Sequence, residues 1–329
     1  MNFQKLMTIE KADTYLDVAF RAARTKEKPK LRKKVDKFIV IKTNEYDKVQ
    51  TVTKSLTSNL NKIVTKFPQV HELPPFYNEL LKITLDYDQL KKSLGAVLWA
   101  SKKIVSFQIQ FCSKLKQSGK IEHTISYGKE FYGRVSSVMK QIKKDLEFIE
   151  KCRRIMKGFP NIKTSLYTVS LAGYPNVGKS SLLKLLTSSN PEIKNYAFTT
   201  KSINTGYFKI DNSKIQVVDT PGAFDRDLKD MNYIEKQAYL TTSMVTNLIV
   251  FIIDPTMSCG YSLDLQEKLY ERFKKFKKDI ILVHSKSDLI EKRDKTIHYV
   301  STKTNEGISE LIELTKKHKT KSENENDQE

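Results

Sequence analysis

Apolar residues recur through the first 160 positions at intervals of three and four, the spacing that collects them on one face of a helix. Leu16, Ala19, Phe20 and Ala23 mark a first helix, and Val49, Val52, Leu56, Ile63, Val64 and Phe67 mark a second. Phe67-Pro68 and Pro74-Pro75 then interrupt the pattern. Pro75 suits the first turn of a new helix, where no N–H is needed. Leu90, Leu94, Val97, Leu98, Ile104, Phe111 and Leu115 mark a long helix that stops at Gly119. Phe131, Val135, Val138, Ile142, Leu146 and Ile149 mark one further continuous helix, ended by Gly158 and Pro160. The expectation for residues 1–160 is a helical bundle with the apolar stripes as its core.

Beyond residue 160 the period changes. Short apolar runs at 166–172, 215–218, 248–253, 280–283 and 297–300 alternate with helical stretches. That alternation predicts an α/β domain over 161–318, a mostly parallel sheet with flanking helices, and residues 319–329 read as a disordered tail. Ligands of such sheets sit at the carboxyl ends of the strands, which is where the polar landmarks fall.

The first landmark follows the run LYTVSLA. Gly173, Gly178, Lys179 and Ser180 fit G-x-x-x-x-G-K-[ST] between a predicted strand and a helix marked by Leu182, Leu183, Leu185 and Leu186. A loop around a polyphosphate must aim several backbone N–H groups inward, so glycine is needed where a side chain would clash or φ is positive. Gly173, Tyr174, Pro175, Asn176, Val177, Gly178, Lys179, Ser180 and Ser181 would form this cradle, with the helix N-terminus pointing at the same anion. Lys179 would reach the β/γ-phosphates and Ser180 would hold Mg²⁺.

Asp219-Thr220-Pro221-Gly222 directly follows the next strand. There Asp219 can hold Mg²⁺ through water, and the Gly222 N–H can meet a γ-phosphate. Ser285-Lys286-Ser287-Asp288 ends the penultimate strand, and Ser301-Thr302-Lys303 ends the last. Asp288 can accept from the N1–H and exocyclic amine of guanine; adenine offers no matching pair of donors.

Composition narrows the partners. Three cysteines, Cys112, Cys152 and Cys259, form no close pair, so neither a disulfide framework nor a zinc site is indicated. No run is long enough to span a bilayer and no signal-peptide apolar region opens the chain, which predicts a soluble intracellular protein without membrane contact. Of the net charge of +20, residues 1–160 carry 33 Lys+Arg against 16 Asp+Glu, or +17. Within them residues 21–37 hold nine basic and two acidic side chains on a stretch with no apolar period. This half is expected to meet a polyanion through phosphate contacts that give affinity and orientation rather than sequence choice.

The series GYPNVGKS, YAFTTKS, DTPG, SKSD and STK resembles the five nucleotide motifs of translation-factor-type GTPases of the Obg superfamily. Residues 196–202 and the preceding basic helical region with PPFYNELL resemble the nucleolar GTP-binding protein (Nog) family in particular, in its short archaeal form. The resemblance implies a GTP- and GDP-binding, Mg²⁺-dependent GTPase that assembles the large ribosomal subunit. It implies docking on precursor particles and rRNA, a monomer off the ribosome, and a cytoplasmic location, or the nucleolus in a eukaryote. By the same resemblance Thr200, with Thr199 as the neighbouring alternative, is the switch threonine that closes on Mg²⁺ and γ-phosphate. Lys286 stacks along the base, and the Ser301-Thr302 backbone approaches the guanine O6.

Two departures from the family pattern matter. Ser285 replaces the asparagine that braces the guanine loop, so weaker affinity with guanine preference retained is expected. Ala223, followed by Phe224, stands where Ras-like enzymes carry the water-positioning glutamine, so intrinsic hydrolysis is expected to be slow. Asn176 occupies the place where some relatives bind K⁺, or it simply shapes the loop. Two other functions fit parts of the chain: an Obg or developmentally regulated type of translation or stress GTPase, and a non-hydrolysing rRNA-binding scaffold.

Overall fold

The computed structural model describes residues 3–25, 36–68, 72–187, 203–220 and 231–326. They divide into two compact units, one formed by Phe3–Glu72 with Leu85–Lys157, the other by Leu73–Thr84 with the chain from Gly158 onward.

The first unit is helical: α1 (Ala12–Thr25) and α2 (Lys37–Lys66), then, beyond α3 (Pro75–Thr84) of the other unit, α4 (Tyr87–Gln117), α5 (Ile121–Gln141) and α6 (Lys143–Lys157). Asp36 and Asp86 cap α2 and α4, each carboxylate accepting from an amide of the first turn. The apolar stripes close on one another as their periods require. Val49, Val52, Leu56, Leu60 and Ile63 of α2 are buried with Val97, Ile104, Phe111 and Leu115 of α4 and with Phe131 and Val135 of α5. Phe111 and Phe131 meet edge to face at 5.9 Å. Residues 26–35, most of the basic stretch between α1 and α2, lie outside the described residues.

The helix expected through Phe131 and Ile149 is two helices. At Ile142 the backbone turns to φ −89°, ψ 9°, closing α5 before α6 begins. No glycine or proline marks the break, and Ile142 is itself buried in register with the stripe, so the apolar period runs through it unchanged.

The second unit holds a six-stranded sheet: β1 (Thr168–Ala172), β2 (Asn204–Ile210), β3 (Ser213–Asp219), β4 (Leu248–Ile253), β5 (Asp279–His284) and β6 (His298–Tyr299), in spatial order β2-β3-β1-β4-β5-β6. All neighbours are parallel except β2 and β3. β2, absent from the sequence reading, is an edge strand with Asn204, Thr205, Gly206 and Lys209 in a seven-residue run, too polar to register as an apolar segment.

Helices cover both faces. α7 (Lys179–Leu186) and α10 (Ile308–Asn326) pack Leu182, Leu183, Leu186, Ile308 and Leu311 against Val169, Leu171, Val250 and Val283. α8 (Tyr233–Leu240) and α9 (Leu263–Lys274) contribute Ala238, Leu269 and Phe273 to the other face, against Val218, Ile249 and Phe251. α10 continues through Asn326, so 319–326 is helical where an irregular tail was expected. Lys319 with Glu323 and Lys321 with Glu325 pair one turn apart and support those last turns.

α3, although early in the chain, is grouped with the sheet. Phe76, Tyr77, Leu80 and Leu81 are all buried. The Tyr77 hydroxyl accepts from the Ile162 N–H at 2.9 Å and donates toward the carbonyls of Pro160 and Ile162, also at 2.9 Å. α3 also packs on α8 and on the π-helical turn Thr241–Val245 that continues it. Tyr77→Phe would leave the Ile162 N–H and a carbonyl buried without partners, a loss of about 1–3 kcal/mol. Thermal unfolding of the variant is expected to show a midpoint lower by roughly 2–4 °C per kcal/mol.

Candidate functional site

The loop after β1 meets both stereochemical demands placed on it. Gly173 has φ 136° and Gly178 has φ 104°, regions that L side chains rarely enter. A Cβ on Gly173 would also fall 2.4 Å from the Ile252 carbonyl of β4. Asn176 adopts φ 63°, the left-handed conformation that asparagine tolerates better than most residues, so it shapes the loop directly. Val177 is buried in the sheet core and anchors the turn from beneath.

Lys179 opens α7 at 8 % exposure. Its Nζ donates to the carbonyls of Gly173 at 2.9 Å and Tyr174 at 2.7 Å, so the ammonium is held inside the loop that Gly173 and Gly178 shape. Tyr174 stacks on Tyr261, with ring centroids 4.3 Å apart, and steadies the loop from the β4 side. Ser180 and Ser181 follow in the first turn, both exposed.

Asp219, at the end of β3, is buried, and the Ser180 hydroxyl donates to its Oδ2 at 2.6 Å. Burial pushes the Asp219 carboxyl above the ordinary carboxylate range, against the opposing pull of the Ser180 hydroxyl, Lys179 and Asn204. Thr220 turns back onto β1, its hydroxyl donating to the Leu171 carbonyl at 2.9 Å. Two oxygens of different types thus meet at the mouth of the loop, a donor set suited to a hard divalent cation.

On the other side of β1 lie the loops after β4, β5 and β6. Lys286 takes φ 58° and places its Nζ 2.6 Å from Asp254 Oδ2 and 2.7 Å from the Ser258 hydroxyl. Asp254 is fully buried and also accepts from the Thr256 hydroxyl and the Cys259 N–H. Burial raises its pKa, but the Lys286 ammonium and these donors outweigh it and the net shift is downward. Gln266 of α9 fixes the same loop, accepting from the Asp254 N–H and donating to the carbonyls of Asp254 and Tyr261.

Asp288 stands exposed beyond β5, its Oδ1 accepting from the Ser301 hydroxyl at 2.7 Å. Ser301 also receives the Lys303 N–H at 3.2 Å, and Thr302 lies half-buried between them. Ser287 donates to Glu306 at 2.6 Å, and Arg293 pairs with Glu306 while donating to the Ser287 carbonyl. Ser285 is buried and its hydroxyl donates to the Ile253 carbonyl at 3.3 Å.

The structure therefore gathers the residues expected after β1, β3, β5 and β6 at one end of the sheet. Thr199, Thr200, Pro221, Gly222, Ala223 and Phe224 lie outside the described residues. Asp254, Gln266, Arg293 and Glu306 were not singled out from the sequence. Asp254-Pro255-Thr256 at the end of the strongest apolar run was the available signal; Gln266, Arg293 and Glu306 carry none, because their partners lie 5 to 19 residues away in irregular loops.

Comparison with known proteins agrees with both halves of the chain. Residues 3–163 match the family described as the NOG1 N-terminal helical domain, and residues 168–286 match the family described as 50S ribosome-binding GTPase. An uncharacterized protein of Methanocaldococcus jannaschii, MJ1408, is 38 % identical over 88 % of this chain and 81 % of its own length. Nucleolar GTP-binding protein 1 of Drosophila melanogaster is 30 % identical over 89 % of this chain but only 45 % of its own length. The protein of the same name from Encephalitozoon cuniculi is 32 % identical over 74 % of this chain and 46 % of its own. The chain thus spans about half the length of the relatives that carry this name.

Two outcomes follow from the buried carboxylates. A carboxyl whose pKa rises on folding stabilises the fold below its unfolded value, about 4, and loses that contribution as pH rises through the folded one. Asp219→Asn is therefore expected to raise the melting temperature of nucleotide-free protein at pH 7, with the gain vanishing below pH 4, while weakening nucleotide binding in Mg²⁺. Asp254→Asn removes the anion that fixes Lys286. GTP and GDP affinities are expected to fall together, by about ten-fold, in an equilibrium titration.

Proposed function

Because the chain belongs to the nucleolar GTP-binding protein (Nog) family, we propose that it is a GTP-hydrolysing assembly factor for the large ribosomal subunit that holds rRNA through its basic helical unit. The observation that carries the reading is the placement, at the same end of the sheet after β1 and β5 on either side of β4, of a phosphate loop and of a lysine and an aspartate suited to guanine. The helical unit belongs to a half of the chain at net +17.

In this reading the N–H groups of the loop and the N-terminus of α7 bind the β- and γ-phosphates, and Lys179 exchanges its two carbonyl acceptors for phosphate oxygens. Mg²⁺ fits the site: Ser180 would be its direct ligand and Asp219 would bind through water. When bound, it neutralises charge on the phosphates. Asp288, oriented by Ser301, selects guanine, and Lys286, oriented by Asp254, lies along the base. If Asn176 serves a K⁺ ion as well as shaping the loop, turnover in potassium exceeds that in sodium. With Ala223 in place of a glutamine, hydrolysis is slow until a ribosomal partner or a cation completes the site.

The output is a switch. Thr200 and Gly222 would close on the γ-phosphate, and α8 begins eleven residues after Gly222 in the sequence. α8 packs on α3, and α3 is joined by short links to α2 and α4 of the helical unit. A change at Gly222 would thus pass through α8 and α3 to the chain that continues into α2 and α4. The protein works as a monomer off the ribosome, in the cytoplasm of an archaeon or the nucleolus of a eukaryote.

Co-sedimentation of the full chain with large-subunit precursors is expected to be at least about five-fold tighter with a non-hydrolysable GTP analogue than with GDP, a coupling near 1 kcal/mol. It should also weaken steeply with salt. Equal affinity in the two nucleotide states would contradict the switch.

A further inference from the structure

We infer that the outward face of α4 is a stacking platform for unpaired RNA, with Trp99 receiving a base and the lysines around it receiving phosphates. The inference rests on the RNA partner proposed above and assigns it a site apart from the basic stretch 21–37.

Trp99 is the single tryptophan of the chain, and it lies 45 % exposed in the middle of a 31-residue helix whose two phenylalanines, Phe107 and Phe111, are buried and whose Tyr87 is half-buried. A tryptophan usually buries most of its area, so one left open on a well-packed helix is exceptional. Its neighbours on the helix surface are small or cationic. Gly95, one turn before it, leaves the surface open, since a Cβ built there meets no atom within 4 Å. Lys102 and Lys103 follow at three and four positions, Lys92 precedes at seven, and all three are exposed. From Gln89 to Ile121 the sequence has seven lysines and no acidic residue. Leu98, Val105 and Ile109 continue the exposed face, Ile109 at 68 %.

An exposed aliphatic row alone would suit a protein. A flat indole between lysines, on a helix with no acidic residue from Gln89 onward, is instead the combination that single-stranded nucleic acid uses, because every base has a π-face and each nucleotide brings a phosphate. The lysines supply salt-dependent affinity, and the indole discriminates unpaired bases from a closed duplex, whose bases are already stacked.

The tryptophan is its own probe. The full chain is titrated with a labelled twelve-nucleotide single-stranded RNA of mixed sequence and with a blunt duplex of the same length. RNA anisotropy and tryptophan emission are followed together. The expected result is quenching of the emission by the single strand over the range in which anisotropy rises. Trp99→Leu is expected to weaken single-strand binding about five-fold or more while duplex binding changes little, and Trp99→Phe to restore most of the loss. Lys102→Gln with Lys103→Gln is expected to flatten the salt slope by roughly 1.4. Helicity and GTP affinity report that each variant is folded.

RNA binding with unchanged emission, and with Trp99→Leu as tight as the parent, would overturn the inference while leaving the RNA-binding function standing. An absence of RNA binding at low salt would overturn both. Emission that changes with protein concentration alone, and stops changing in Ile109→Lys, would assign the face to a second copy of the chain and overturn the platform.

Discussion

The left-handed backbone at the two ends of the loop after β1 is the constraint on which the rest of the sheet unit depends. Gly173 must sit with its missing Cβ against the Ile252 carbonyl of β4, and Gly178 must turn the chain directly into α7. That geometry holds only if β1 lies beside β4 in parallel register, as it does with Ala172 opposite Phe251. The order of strands, with β3 on one side of β1 and β4 on the other, then places the Asp219 loop and the Asp254 loop on opposite flanks of the same turn. A fold that exists to stack strands would not need three loops of such different chemistry to end within reach of one another.

The buried charges make the same point energetically. Lys179, Asp219 and Asp254 are all removed from water, and each has a specific partner: backbone carbonyls, a serine hydroxyl, and a lysine with two further donors. Burying an ion is unfavourable even when it is paired, and well-packed apolar residues often do as well for stability. Their presence at the strand ends is better accounted for by what they hold than by what they stabilise. The two aspartates illustrate how environment separates like residues: burial dominates at Asp219, whereas the Lys286 ammonium and neighbouring donors prevail at Asp254.

Much of this was legible in the chain because its chemistry ties residue types to fixed offsets. A phosphate loop needs glycine, lysine and serine at set positions between a strand and a helix, and GYPNVGKS supplies them with apolar flanks that anyone can count. The buried strands declared themselves as apolar runs for the same reason, since both faces are covered. β2 escaped because an edge strand can be polar, and the break at Ile142 escaped because one residue in the bridge region leaves the apolar period intact. The allegiance of α3 escaped for a different reason: its stripe says that it is buried, not against what. Arg293 and Glu306, which tie the loops after β5 and β6 together, pair across 13 residues of irregular chain, where no period exists to reveal them.

The function proposed for this site makes one demand above all, that a purine triphosphate lie with its base toward Asp288 and its phosphates toward Lys179. Calorimetric titration of the purified chain with GTP, GDP and ATP in Mg²⁺ measures this directly. The account predicts saturable one-to-one binding of both guanine nucleotides and much weaker binding of ATP. Equal affinity for ATP and GTP, or no guanine-nucleotide binding at all, would contradict it.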